Sequence, residues 1–305
     1  MKLLLVGPTG QVGSALMNVL STVGKITAAP RTLIDLTKPS TIRHCVRFHR
    51  PDIIVNAGAY TAVDDAENHE ALAMQVNAES TGILAQEARR LGALLVHFST
   101  DYVFDGKKNA PYEETDTPNP LNAYGRSKLA GEKLIQASGC RHLIFRTSWV
   151  YSTVGKNFLL TMLRLARTEK PLRVVCDQIG APTSNLIIAS ATRTAVMRAI
   201  KDQSVSGIFH LAASGATSWF GFAQQIFVEL GVKVHLRPIA SDDYPSVARR
   251  PVNSALKNHL FEACFAVRLP HWQEGLREVI AELRAQRAEA LNITSGKSGS
   301  LPTND

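Results

Sequence analysis

A tyrosine and a lysine four residues apart, Tyr124-Gly-Arg-Ser-Lys128, are the pair in this chain best suited to moving a proton. On a helix, that spacing puts both side chains on one face. A free phenol titrates near pH ~10, so it is a reluctant acid at neutral pH unless a neighbouring ammonium lowers that value. General acid catalysis needs such matching of the pKa to the working pH. Upstream, Val96-His-Phe-Ser-Thr-Asp-Tyr-Val-Phe-Asp-Gly106 sets Ser99 and Thr100 at the end of an apolar run, where a hydroxyl could share a substrate oxygen with Tyr124. A third constellation, Gly7-Pro-Thr-Gly10-Gln-Val-Gly13, follows directly on Leu3-Leu4-Leu5-Val6. Glycines there let the backbone approach a pyrophosphate without Cβ clashes, and a following helix aims unpaired N–H groups at the phosphate charge. The spacing is not the Gly-x-Gly-x-x-Gly of many dehydrogenases. A strand before it and a helix after it, with Val12, Ala15, Leu16, Val19 and Leu20 at three- and four-residue spacing, raise it above an ordinary glycine turn.

These groups must be held by a scaffold, and the pattern predicts one. Up to about residue 148, short apolar runs alternate with amphipathic stretches: strands over Leu3 to Val6, Ile26 to Ala29, Asp52 to Val55, Leu94 to Phe98 and His142 to Arg146, with helical patterns between them, the longest from Glu67 to Leu91. Such alternation predicts an α/β fold, a Rossmann-type doubly wound parallel sheet, because parallel neighbours need crossover connections. Ligands then gather beyond the carboxyl ends of the strands, at Gly7, Asn56-Ala57-Gly58-Ala59, Ser99-Thr100-Asp101 and Thr147-Ser148-Trp149. From residue 149 to 288, prolines punctuate short runs such as Leu172 to Cys176 and Ile208 to Leu211, predicting a smaller α+β lobe for the substrate, with segments returning to the main sheet. A last helix carries Trp272, Leu276, Val279, Ile280 and Leu283, and residues 289–305 are predicted to be a disordered polar tail.

Composition narrows the classes. The 305 residues carry a net charge of +8, but the cations are scattered and do not interleave with aromatics. That argues against a nucleic-acid or membrane stripe and suits an anionic cofactor and substrate. Cys45, Cys140, Cys176 and Cys264 stand far apart, without the spacing of a zinc site. With no secretory leader and no apolar stretch of ~20 residues, a soluble cytoplasmic protein with free thiols is expected.

The ordered motifs resemble a known group, the extended short-chain dehydrogenases/reductases. They comprise the glycine turn, Asn56-Ala-Gly-Ala-Tyr-Thr-Ala-Val-Asp64, Ser99 to Gly106, Tyr124-x-x-x-Lys128, Phe145-Arg-Thr-Ser-Trp-Val-Tyr151 and Asp177-Gln-Ile-Gly-Ala-Pro-Thr183. Within that group they are similar to the dTDP-4-dehydrorhamnose reductase family, up to about residue 285. The resemblance implies reduction of the C4 ketone of dTDP-4-dehydro-L-rhamnose to dTDP-L-rhamnose, the last step of dTDP-rhamnose biosynthesis. It makes Tyr124 the proton donor, Lys128 the residue that lowers its pKa and holds the nicotinamide ribose, and Thr100 the triad's hydroxyl. Gly7, Gly10, Gln11, Val12 and Gly13 match the pyrophosphate turn, Asp35 and Leu36 the adenine contacts, Ala59, Tyr60 and Thr61 the strand-end contacts, and Phe98 the nicotinamide side. Thr100, Asp101, Tyr124 and Trp149 match the deoxysugar site. Arg250 is a candidate for the nucleotide diphosphate, because a guanidinium fork suits phosphate oxygens, or else a solvated loop arginine.

Two departures matter. After the second strand stands Pro30-Arg31 where sites favouring NAD carry an acid, so Arg31 predicts NADPH, with NADH the weaker alternative. Some members of the resembled family form magnesium-bridged dimers through acids, but the matching positions here are Ala15 and Leu186, which predicts no metal and a monomer or a homodimer without that bridge. The rival functions are a 4-epimerase or 4,6-dehydratase of the same superfamily, and a non-enzymatic regulator resembling the regulatory subunit of methionine adenosyltransferase. Asp101-Tyr102-Val-Phe lacks the acidic pair expected of a dehydratase.

Overall fold

Leu3, Leu4, Leu5 and Val6 are all buried, because their strand lies in the middle of a sheet covered on both faces. The computed structural model describes residues 1–167 and 171–296. Six parallel strands form the sheet: β1 (Lys2–Val6), β2 (Lys25–Ala29), β3 (Ile53–Asn56), β4 (Leu94–Thr100), β5 (His142–Thr147) and β6 (Gly207–His210). Their order is β6-β5-β4-β3-β1-β2. The side-chain period of two divides each strand between two cores. Leu3, Leu5, Ile53, Val55, Val96 and Phe145 share one core with Leu16 and Leu20 of the helix Gln11–Leu20, whereas Leu4, Val6, Ile54, Leu95 and Ile144 pack with Ile42, Leu84 and Ile135 on the other side. Burial of each such side chain contributes about 1.5–3 kcal/mol.

The chain leaves β1 in one direction to β2 and then reverses to β3, so the crevice between β1 and β3 is the reversal point at which such sheets bind ligands. The long helical stretch predicted from Glu67 to Leu91 is broken in the structure into Glu70–Met74, a π-helical turn Gln75–Glu79 and Ser80–Leu91, preceded by Val63–Asn68. The π turn holds Asn77, whose amide accepts from Tyr60 N at 2.8 Å and donates to Tyr60 O at 3.0 Å and Ser127 Oγ at 2.9 Å. A widened turn at this position lets one side chain clamp a loop and a neighbouring helix together.

Past β5 the chain builds the smaller lobe. Leu172–Val175 pairs in parallel with Leu236–Ile239, away from the main sheet. The Ile208 to Leu211 run instead supplies β6, which returns to the main sheet beside β5. Trp272, Leu276, Val279 and Ile280 of the last helix are buried as their spacing predicts. That helix, Trp272–Gly296, continues past residue 288, where the sequence pattern predicts the tail to begin. Ala285-Gln-Arg-Ala-Glu-Ala-Leu291 is rich in good helix formers, and this propensity carries the backbone on. The rest of the predicted tail, 297–305, lies outside the described residues. All four cysteines are unpaired, and no described helix is long and apolar enough to cross a membrane.

Candidate active site

The helix Ala123–Ser138 carries the tyrosine and the lysine. Pro118 and Pro120 end the preceding chain in an extended form, and Asn122 caps the helix by accepting from Gly125 N at 2.8 Å. Its first turn lies so close to β4's continuation that a Cβ on Gly125 would stand 2.2 Å from the Tyr102 carbonyl oxygen. This approach brings Tyr124 to Thr100, the last residue of β4.

Thr100, Asp101, Tyr124, Trp149 and Arg250 line one cleft of about 610 Å³, together with Gln11, Thr61 and residues of the second lobe. Thr100 Oγ1 donates to Asp101 Oδ1 at 3.0 Å and accepts from Tyr102 N at 3.1 Å. Asp101 also accepts from Ser148 Oγ at 3.0 Å, yet burial dominates and pushes its carboxyl up to about 6. Ser99, the other hydroxyl at this strand end, is committed elsewhere, donating to the buried carboxylate of Glu132. Glu132 in turn holds Arg146 of β5 through two hydrogen bonds of 3.0 and 2.7 Å. Both hydroxyls line the cleft, Ser99 tied to Glu132 and Thr100 to Asp101 and Tyr124.

The electrostatics correct one expectation. Lys128 is expected to lower the Tyr124 pKa, but burial pushes that phenol up to about 12, and the lowering comes from its hydrogen bond with Thr100, while Asp101 raises it further. Lys128 does not line the cleft. It is buried beneath the helix, its Nζ lies 3.1 Å from His97 Nε2, and burial brings its ammonium down to about 8 against the charge of Glu132.

The glycine turn has the shape of a phosphate cradle. Gly7 has φ +73°, and a Cβ on it would meet Gly58 Cα at 2.8 Å; a Cβ on Gly13 would lie 2.0 Å from the Gly7 carbonyl oxygen. No side chain caps the N-terminus of Gln11–Leu20, and its first turn holds no acid. Beside it, Gly7, Arg31, Asp35, Leu36, Ala59 and Tyr60 line a cavity of about 300 Å³. Arg31 is exposed and engages no side chain among the described residues by hydrogen bond or ion pair. Asp35 spends its carboxylate on Thr37 N and Oγ1, at 3.0 and 2.7 Å, so it shapes its own loop and leaves a backbone edge to the cavity. Phe98 is 8% exposed and packs on Phe145 in the core below the site.

Trp149, in left-handed backbone at φ +46°, stacks on Trp219 with centroids 3.5 Å apart and planes 2° from parallel. Arg250 lines the cleft, but its guanidinium pairs with Asp64 at 2.7 and 3.1 Å. Sequence reasoning quoted Asn56, Asp64 and His97 only within motifs and gave them no partners, and it missed Trp219 and Asn77.

A parallel sheet with a reversal-point glycine cradle, opening next to a Tyr-x-x-x-Lys helix and a strand-end threonine, defines the extended short-chain dehydrogenase/reductase class. The model of the RmlD substrate binding domain family matches residues 1–285. The chain belongs to that family, the dTDP-4-dehydrorhamnose reductases. It is 43% identical to the dTDP-4-dehydrorhamnose reductase of Burkholderia thailandensis over 94% of this chain and 100% of the relative. With the Escherichia coli K12 enzyme of the same name it shares 44% identity over 93% and 98%. The solved Bacillus anthracis dTDP-4-dehydrorhamnose reductase in complex with NADP superposes with a TM-score of 0.86 at 34% identity, covering 92% of this chain and 99% of that one.

Proposed function

We propose that this protein reduces the C4 ketone of dTDP-4-dehydro-L-rhamnose with NADPH, giving dTDP-L-rhamnose, and that Tyr124 is the proton donor. The observation that carries the reading is the convergence of Tyr124, Thr100 and Asp101 in one cleft with Gln11 of the glycine turn. NADPH, when bound, supplies the hydride. Gly7, Gly10, Gln11, Val12 and Gly13 would hold its pyrophosphate, the loop with Leu36, Ala59 and Tyr60 its adenosine, and Arg31 the 2′-phosphate. The fit is supported by the uncapped helix N-terminus and by the glycine contacts that leave no room for a Cβ.

Thr100 and Tyr124 would both hydrogen-bond the ketone oxygen, and as that oxygen gains charge the phenol proton moves to it. Burial makes Tyr124 an acid of high pKa, and the developing alkoxide is more basic still, so the proton moves downhill. The stacked pair Trp149 and Trp219 would form one wall for the sugar, and Arg250 would exchange its pairing with Asp64 for a phosphate. Labour divides near residue 148: residues 1–148 and β6 serve the cofactor, residues 149–288 the sugar nucleotide. The four unpaired thiols support a cytoplasmic setting, which fractionation would check.

The test follows NADPH oxidation with dTDP-4-dehydro-L-rhamnose, for the wild type and Tyr124→Phe. Loss of about 10²–10⁴ in kcat is expected for the variant, with NADPH binding kept. Near-normal turnover of the variant would sink the acid assignment, and a higher kcat/KM with NADH would sink the role of Arg31. Net consumption of NADPH separates this reaction from epimerisation or dehydration, in which the hydride returns to the substrate; a regulator would turn over nothing.

A further inference from the structure

The motif Asp177-Gln-Ile-Gly-Ala-Pro-Thr183 stands outside the cleft lining and runs directly behind the stacked pair Trp149 and Trp219. Ile179–Gly180 pairs antiparallel with Thr217–Ser218, Gly180 opposite Thr217 and Ile179 opposite Ser218. The next step of that register sets Gln178 beside Trp219, the first residue of the helix Trp219–Leu230. On the other edge Ile179 N donates to Val252 O at 2.7 Å and Ser254 N donates to Ile179 O at 2.8 Å, so the segment is held from both sides.

The hydrogen bonds leading away from Trp219 have one possible polarity. An indole N–H only donates, so Trp219 Nε1 gives its hydrogen to Gln178 Oε1 at 3.2 Å. Gln178 Nε2 then donates to Ser241 Oγ at 2.9 Å, and Ser241 Oγ donates its own hydrogen to Asp177 Oδ1 at 2.6 Å. Asp177 also accepts from Ser241 N at 2.9 and 3.0 Å, which anchors the outer end. Gln178 is only 9% exposed, so little water competes for its amide.

Trp149 needs such support. Its φ of +46° is sparsely populated by residues with a side chain, so the place of its indole is set by what packs on it. Trp219 covers it at 3.5 Å, and Phe158 lies on Trp219 with ring centroids 4.7 Å apart. A Cβ on Gly180 would stand 2.6 Å from Trp149 Nε1, so the motif's glycine lets the backbone lie against the same indole. Trp149 lines the sugar cleft, Trp219 lines both that cleft and a neighbouring cavity of about 290 Å³, and Gln178 lines the second.

We propose that Gln178 is a positioning residue for the reduction: it accepts the Trp219 indole N–H, fixes the plane of that ring, and through the stack holds Trp149 where the sugar docks. The proposal rests on the reductase reading, in which the tryptophan pair is a wall for the sugar. Gln178 acts through Trp219 without touching sugar or cofactor. The wall meets the substrate before and during hydride transfer alike, so loosening it weakens uniform binding: KM rises and kcat stays.

Gln178→Met keeps the side chain's length and removes the acceptor. The three indole N–H signals of the protein carrying 15N-tryptophan are told apart by their loss in Trp149→Phe and Trp219→Phe. In Gln178→Met the Trp219 signal should shift as its hydrogen bond is lost, and the Trp149 signal should shift with it, because the ring stacked on it turns. The KM for dTDP-4-dehydro-L-rhamnose should rise about three- to tenfold, the worth of one neutral hydrogen bond, with kcat and the Kd for NADPH unchanged. In the Trp219→Phe background, which has no N–H to accept, Gln178→Met should add nothing to KM. A Trp149 signal that stays in place, a fall in kcat without a rise in KM, or additive effects in the double variant would each overturn the proposal. Should Gln178→Met lose NADPH binding and with it the fold, Ser241→Ala, which cuts the same line one bond further out, carries the test in the same direction. Failure of the wild type to reduce the sugar nucleotide would refute the functional reading and leave the NMR result standing.

Discussion

Asp101 sits in the cleft with its carboxyl held by Thr100 and Ser148, and burial still raises its pKa to about 6. The folded protein therefore binds this proton more tightly than the unfolded chain, in which a carboxyl titrates near ~3.9. Its contribution to stability is complete below pH ~4 and is lost as pH rises through about 6, a swing of about 3 kcal/mol. Asp101→Asn removes the titration, so urea unfolding should find the variant gaining on the wild type between pH 4 and pH 8 by that order. An equal difference at both pH values would show that the carboxyl is ionised throughout. At this scale the sequence was legible where a motif fixed both residue type and place, as for Thr100, Tyr124 and Trp149, which all line the cleft. It was silent on partners that lie far apart in the chain: Ser99 is drawn off to Glu132 across 33 residues, and Arg250 to Asp64 across 186.

The helix Ala123–Ser138 positions Tyr124 and Lys128 as one rigid piece, so what holds its first turn matters more than either side chain's own contacts. Gly125 packs on the Tyr102 carbonyl with no space for a methyl, whereas Gly139, at the helix's other end with φ +66°, has nothing within 4 Å of its missing Cβ. Gly125→Ala must push the helix off β4, moving Tyr124 from Thr100; a stability loss of about 1–3 kcal/mol is expected, with a fall in kcat. Gly139→Ala suffers only the left-handed backbone, about 1 kcal/mol, and keeps kcat. Thermal melts and steady-state kinetics on the pair check this, and equal kcat in both variants would refute the helix-positioning argument. The helix itself was legible from its prolines and periodicity, and strands β1 to β5 were legible as apolar runs. The π turn at Gln75–Glu79 was not, because it is imposed by what Asn77 must hold, Tyr60 and Ser127, and not by local propensity. The Ile208 to Leu211 run and a return of later segments to the main sheet were legible too, but not that this run is the one that pairs with β5.

Across the whole molecule the lobes are welded rather than hinged. One continuous core contains Leu3, Leu5 and Leu16 of the N-terminal half together with Phe222, Phe261, Trp272 and Leu276 from the later chain. Helix Gln11–Leu20 packs along Asn185–Lys201, where Asn185 Nδ2 donates to Gln11 O at 3.0 Å. The Gln11 side chain accepts from Ser152 Oγ at 3.0 Å and Asn157 Nδ2 at 2.9 Å, which ties the glycine turn to a loop at the cleft. No apolar seam is left along which one half could unfold while the other keeps its core, so a single calorimetric transition is expected. NADPH at a hundredfold excess over its Kd should raise that whole transition by about 2.7 kcal/mol of stability, not one part of it. Ala15 and Leu186 lie on these same two helices and offer no oxygen to a cation, so the transition and the sedimentation coefficient should be the same in magnesium and in EDTA. Two transitions, of which NADPH moves only the first, would show that the shared core does not couple the lobes, and dissociation of a dimer by EDTA would show that acids elsewhere on the surface hold a metal.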